Sequence, residues 1–133
     1  MAAEHRVKRR VQFYETDLAG IVHFSWYFRY MEEAEHALWR AAGLSIAAPD
    51  SEVGFPRVAA SCDFRAPLRF EDEFEVYIRL EALNRRTLQY ACVLTHGATT
   101  VATGSLTAAC VSKRTGEPLS AIDIPEEIAA RLR

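Results

Sequence analysis

A single stretch of helical periodicity constrains this chain more than any other feature. Between Ser25 and Ala42 the apolar residues Tyr27, Tyr30, Met31, Ala34, Leu38 and Ala41 recur at helical spacing, while Arg29, Glu32, Glu33, His36 and Arg40 supply a polar side. Gly43 is a suitable stop. The small residues Ala34, Ala37 and Ala41 would let the helix axis approach a sheet closely. Glu32, Glu33 and Glu35 could each serve as a helix-borne base, but clustered charges opposite an apolar stripe read as a solvated face.

Almost everything else has strand periodicity. Val7 to Phe13 alternates imperfectly and predicts a strand, followed by a turn through Thr16 to Gly20. After a loop with Pro49, Gly54 and Pro56, a strand is expected from Val58 to Phe64, broken at Pro67. Phe74, Val76, Ile78 and Leu80 then alternate with charged residues and Tyr77, marking a strand with one buried face. Asn84-Arg85-Arg86 turns into a strand from Thr87 to His96, and Gly97-Ala98 turns into a last long strand, Thr100 to Ser112. Pro125, followed by Glu126 and Glu127, predicts a short terminal helix. One long helix beside a chiefly antiparallel sheet is an α+β arrangement, and the sheet's uncovered face and edges call for a second copy of the chain.

Length and composition narrow the function. With 133 residues, half of them hydrophobic, one domain spanning residues 1–133 is expected. The formal net charge of −2 lacks the basic excess that nucleic-acid binding needs, so no nucleic-acid partner is expected. Met1 to Arg10 is charged, with no apolar run after it long enough for a signal peptide or a membrane span, so a cytoplasmic protein is expected. Cys62, Cys92 and Cys110 form an odd set without Cys-x-x-Cys spacing, which suggests reduced, mostly buried thiols and neither disulfide nor zinc site.

Among groups able to do chemistry, Asp17 stands between a predicted strand and a helix N-terminus, with Gly20 just after it. Amides near His23, Phe24 and Ser25 could hold a developing oxyanion there while Asp17 attacks or activates water. Capping a turn or a helix is an equally ordinary job for Asp. His23 is of a residue type often used for acid–base work, but nothing in the sequence supplies its partner. Arg85 and Arg86 at a hairpin turn could meet phosphates, or simply face solvent. Tyr27 is a candidate substrate contact on the helix. Cys62 as a nucleophile lacks a neighbouring base, and no Gly-rich phosphate loop, Gly-x-Ser-x-Gly elbow or His-Glu-x-x-His pattern is present.

From Phe13 to Met31 the chain reads Phe-Tyr-Glu-Thr-Asp-Leu-Ala-Gly-Ile-Val-His-Phe-Ser-Trp-Tyr-Phe-Arg-Tyr-Met. This stretch resembles the hot-dog-fold acyl-CoA thioesterases of the 4-hydroxybenzoyl-CoA thioesterase type. Phe64 with Ala66-Pro67, Phe70-Glu71-Asp72, and Ala121 to Pro125 resemble later parts of that pattern, and the likeness runs from Arg6 to about Ile128. The resemblance implies an antiparallel sheet wrapped around one long central helix, in dimers or tetramers with active sites between subunits. It implies hydrolysis of an acyl-CoA substrate without metal or organic cofactor. Asp17 falls on the family's catalytic Asp, nucleophile or general base, and the backbone amide of Phe24 on its carbonyl-polarising position. Arg85 and Arg86 fall where some relatives meet CoA phosphates. A non-catalytic acyl-CoA sensing module and an acyl-carrier-protein thioesterase are the alternatives on the same fold. The family branch with a Glu on the central helix carries a His-Gly-Gly type motif that this chain lacks.

Overall fold

The computed structural model describes residues 3–133. In chain order it contains β1 (Glu4–Arg10), a 3₁₀ turn (Phe13–Glu15), α1 (Ser25–Ala41), β2 (Val53–Gly54), β3 (Arg57–Phe64), β4 (Glu73–Leu83), β5 (Thr87–His96), β6 (Thr99–Ala109), β7 (Val111–Ser112), β8 (Ser120–Ala121) and α2 (Glu126–Leu132). Five strands form one antiparallel sheet in the order β1-β4-β5-β6-β3, so β1 and β3 are its edges. The short strands β2, β7 and β8 form a second, small sheet. This is the α+β hot-dog arrangement the resemblance implies. No helix among the described residues is long and apolar enough to cross a membrane.

Period-two alternation puts Phe74, Val76, Ile78 and Leu80 of β4, Leu88, Tyr90, Cys92 and Leu94 of β5, and Leu106 and Ala108 of β6 on one buried face. Against it α1 buries Tyr27, Tyr30, Met31, Ala34, Leu38 and Trp39. Each large apolar side chain so buried stabilises the fold by about 1.5–3 kcal/mol relative to exposure. At Gly104 of β6 an added Cβ would lie 2.7 Å from Met31 Sδ and 2.8 Å from the Ser61 carbonyl oxygen, so this strand position leaves no room for a side chain. Gly43 ends α1 with φ +78, and the Leu44 amide reaches back to the Trp39 carbonyl.

Four local expectations need correction. The first strand stops at Arg10, because Gln12 and Glu15 bond reciprocally and start the 3₁₀ turn, leaving Phe13 exposed. At the end of α1 Trp39 is buried and Ala41 exposed, since the Trp39 indole N–H donates to the Tyr90 hydroxyl at 2.9 Å inside the core. The last strand is split at Cys110, whose amide bonds to the Arg86 carbonyl while Val111 turns away to pair with β2 and β8. Glu35 is not on a solvated face. It is fully buried, bridged by the Arg57 guanidinium and reached by the Tyr90 hydroxyl. Burial raises its carboxyl above the usual range against the opposing pull of Arg57 and Tyr90.

Candidate active site

The loop carrying Asp17 is built from both ends. The Asp17 amide donates to the Ile21 carbonyl at 3.0 Å, the Gly20 amide returns to the Asp17 carbonyl at 2.9 Å, and Thr16 bridges Val22. Closing so short a loop takes φ +78 at Gly20, where a side chain would be strained. Asp17 Oδ1 accepts the Ala19 amide at 2.8 Å, the turn-capping job expected of an Asp, and the carboxylate remains exposed. A buried carboxylate, Glu15, anchors the base of the loop. Its Oε1 accepts from the Gln12 amide, the Tyr30 hydroxyl and Arg9 Nη1, all at 2.8 Å, and its own carbonyl accepts the His23 amide at 2.9 Å. Burial alone would raise the Glu15 carboxyl, but Arg9 and the other donors hold it below the usual range.

Asp17, Phe24 and Tyr27 line one open cleft of about 560 Å³, together with Phe64, Arg65 and Arg69. Tyr27 meets Phe64 edge-on, ring centroids 5.0 Å apart, and Phe24 meets Phe64 likewise at 6.5 Å. These three rings form an aromatic wall beside the carboxylate. Of the three amides considered for an oxyanion, that of His23 is bonded to Glu15 and that of Ser25 to His23 Nδ1 at 3.3 Å. The Phe24 amide has no partner among the described residues and stands at the N-terminal end of α1, where the helix dipole favours negative charge. The cleft thus combines an exposed carboxylate, an unengaged amide and an apolar wall.

Four other candidates lie outside it. His23 stands just before α1, its Nδ1 2.8 Å from Ser25 Oγ and its ring tilted against Phe24 with centroids 4.7 Å apart, and it does not line the cleft. Arg85 and Arg86 both turn to Asp123, at 3.7 and 3.0 Å. They sit at the Thr87 end of β5, whereas Phe64 of the cleft registers through Ala102 with Leu94 near the other end. At about 3.3 Å per residue the two ends are roughly 25 Å apart, so one copy of the chain does not bring these arginines to Asp17. Cys62, partly buried, has its thiol pushed up to about 11, chiefly by burial, and stays protonated at neutral pH. Sequence reasoning missed Glu15, Arg65 and Arg69; the only local signal was Glu15 standing three residues after Gln12.

A helix wrapped by an antiparallel sheet, with an Asp-bearing loop leading into that helix, defines a hot-dog protein of the thioesterase kind. The chain belongs to the Thioesterase-like superfamily, which it matches over residues 11–132. A crystal structure of a hypothetical protein from Aquifex aeolicus is 35% identical and superposes with a TM-score of 0.89, covering 97% of this chain and 99% of that one. A 1,4-dihydroxy-2-naphthoyl-CoA hydrolase from Synechococcus elongatus is 28% identical over 116 residues, 85% of each chain. The structure of a gentisyl-coenzyme A thioesterase is 25% identical, with a TM-score of 0.87 over 97% of this chain and all of its own.

Proposed function

We propose that this protein hydrolyses an acyl-CoA thioester to a carboxylate and free CoA, with Asp17 as nucleophile or general base. The observation that supports the reading is the shared cleft: Asp17, exposed, and Phe24, whose amide has no partner among the described residues, both line one space together with Tyr27 and Phe64. As general base, Asp17 takes a proton from water as the water oxygen bonds to the thioester carbon. The carbonyl oxygen gains negative charge opposite the Phe24 N–H, and collapse breaks the C–S bond to release the CoA thiolate, which takes up a proton. As nucleophile, a carboxylate oxygen of Asp17 bonds to that carbon, the C–S bond breaks and the CoA thiolate leaves to take up a proton, and water then opens the mixed anhydride to the free carboxylate and restored Asp17.

Two relatives named for aromatic CoA thioesters fit the aromatic wall, so aryl-CoA is the first substrate class to try. The reading includes a homodimer or higher homo-oligomer with the site between subunits. Support comes from the large apolar side chains left in water around the loop: Phe13, Leu18, Phe24, Phe64 and Phe70 are all exposed in the single chain.

The test is thiol release from aryl-, short- and long-chain acyl-CoAs and from one acyl-carrier-protein thioester, with wild type and Asp17→Asn side by side. Asp17→Asn should lower kcat by about 100-fold or more, comparable to loss of an oxyanion donor in other enzymes. Near-normal turnover in the variant would remove Asp17 from the mechanism. Tight acyl-CoA binding with no release from wild type would make the protein a sensing module, and a strong preference for the carrier-protein donor would overturn the CoA assignment.

A further inference from the structure

The charge around the cleft is unlike that of the rest of the molecule. The chain is net acidic, and most of its arginines are engaged: Arg9 with Glu15 and Glu33, Arg57 with Glu35, Arg85 and Arg86 with Asp123. Arg65 and Arg69 both line the Asp17 cleft, and among the described residues neither guanidinium has an ion pair or a hydrogen bond. Asp17 is the one carboxylate in the same lining, so a positive charge is left over even when one arginine is set against it.

These side chains stand on a firmly held backbone. The Arg65 amide bonds to the Val101 carbonyl at 2.8 Å, the Val22 amide to the Leu68 carbonyl at 2.8 Å, and the Arg69 amide to Asp72 Oδ2 at 2.8 Å. Leu68 between them is fully buried. Arg69 reaches over the Asp17 loop, its Nη1 4.0 Å from where a Cβ on Gly20 would sit. A guanidinium offers a planar fork of donors matched to carboxylate and phosphate oxygens. Two of them, anchored at the backbone and unengaged at the tip, form a receptor for an anion.

We propose that Arg65 and Arg69 are substrate-recognising residues that bind an anionic oxygen group on the thioester, either a carboxylate on the acyl part or a phosphate of the carrier. This rests on the cleft being the thioesterase site. The arginines then orient the scissile bond against Asp17 through the substrate's own charge, and an acyl group or carrier lacking that charge loses the benefit.

The test combines turnover with binding for wild type, Arg65→Gln, Arg69→Gln and the double variant. Thiol release is compared for benzoyl and 4-carboxybenzoyl thioesters of CoA and of N-acetylcysteamine, the latter carrier having no phosphate. Losing charge-assisted hydrogen bonds should lower kcat/KM about 10-fold per arginine and about 100-fold in the double variant, wherever the recognised anion is present. Loss on the 4-carboxybenzoyl thioesters of both carriers assigns the arginines to the acyl group. Loss on both CoA thioesters but neither N-acetylcysteamine thioester assigns them to the carrier phosphate. Equal loss on all substrates, or no loss on any, overturns the proposal.

Calorimetric binding of the thioether S-(4-carboxybenzyl)-CoA, which cannot be hydrolysed, gives a separate reading. If wild type releases no thiol at all, the catalytic assignment fails, yet weaker binding by the double variant still upholds the anion site and unchanged binding overturns it. Both arginines are exposed and free of side-chain bonds, so the glutamine variants leave the packed core intact.

Discussion

Glu15 is a carboxylate with no exposed surface, two residues from the acid proposed to do the chemistry. A buried charge is tolerated only when fully compensated, and here the compensation ties three elements together. Oε1 collects three donors, and Oε2 lies 2.6 Å from Arg9 Nη2 but out of line for a hydrogen bond, so it is held by charge. Through these contacts β1, the 3₁₀ turn and α1 fix the stem of the Asp17 loop. Glu15→Gln keeps the volume but loses the charge, and should cost about 1–3 kcal/mol by chemical denaturation. Glu15→Ala, which strands Arg9 with Glu33 alone, should cost about 3–5 kcal/mol. The sign of the pH effect follows from the depressed carboxyl: the unfolded chain binds the proton more readily, so stability from Glu15 is complete above its ordinary value of 4.5 and is lost as pH falls through the folded value. The acid limb of the pH–stability curve should therefore be shallower in Glu15→Gln, and an unchanged limb would mean that Arg9 is satisfied without Glu15. Because the loop geometry depends on this clamp, kcat should fall further than KM rises.

At the scale of elements, one tight contact between helix and sheet is Met31 over Gly104. An alanine there would meet a flexible thioether at 2.7 Å and a backbone carbonyl, that of Ser61 in edge strand β3, at 2.8 Å. Gly104→Ala should destabilise by about 1–3 kcal/mol, the usual range for overpacking a well-filled core. Adding Met31→Leu should restore only part of the loss, since the Ser61 carbonyl does not move with it; full recovery would show that the thioether alone was the obstacle. Gly104 was legible only as a glycine inside a strand pattern. Where periodicity was strong, as in β4, β5 and the body of α1, the elements and their buried faces could be read from sequence. The failures have physical causes: Glu15 and Glu35 look like solvent-facing charges because polarity gives no hint of distant partners such as Arg9 and Arg57. The split at Cys110 escaped because the apolar pattern runs on through Val111 without a Gly or Pro to mark it. In the cleft, Asp17, Phe24 and Tyr27 were legible because a local motif carries them, whereas Arg65 and Arg69 are distant in sequence and come to the cleft through tertiary contacts, the Val22–Leu68 and Arg65–Val101 backbone bonds among them.

For the molecule as a whole, the two sheet edges differ in a way that bears on assembly. The β1 edge is defended by charge: Glu4, Arg6, Lys8 and Arg10 point away from the core, with Arg6 and Arg10 paired to Glu75 and Glu73. The β3 edge has charge only towards its ends, Arg57 and Asp63, and between them Val58, Ala59, Ala60 and Ser61 are exposed and uncharged. An undefended edge offers a row of unpaired backbone groups, and the exposed side chains of Phe24 and Phe64 lie beside it. Pairing β3 with its counterpart in a second copy would satisfy those groups and bring further cover to the cleft, because Phe64 ends that strand. Wild type should therefore sediment as a dimer or larger species at micromolar concentration. Ala60→Lys places a charge at the centre of the edge, where two symmetry-related lysines would face each other, and should shift the protein toward monomer. If the active site needs both copies, specific activity in Ala60→Lys should fall with dilution, in parallel with the monomer fraction measured by sedimentation. A wild type that is monomeric and fully active at those concentrations would instead leave the whole reaction to the Asp17, Phe24 and Tyr27 of a single chain, and the exposed aromatics would then serve only the substrate.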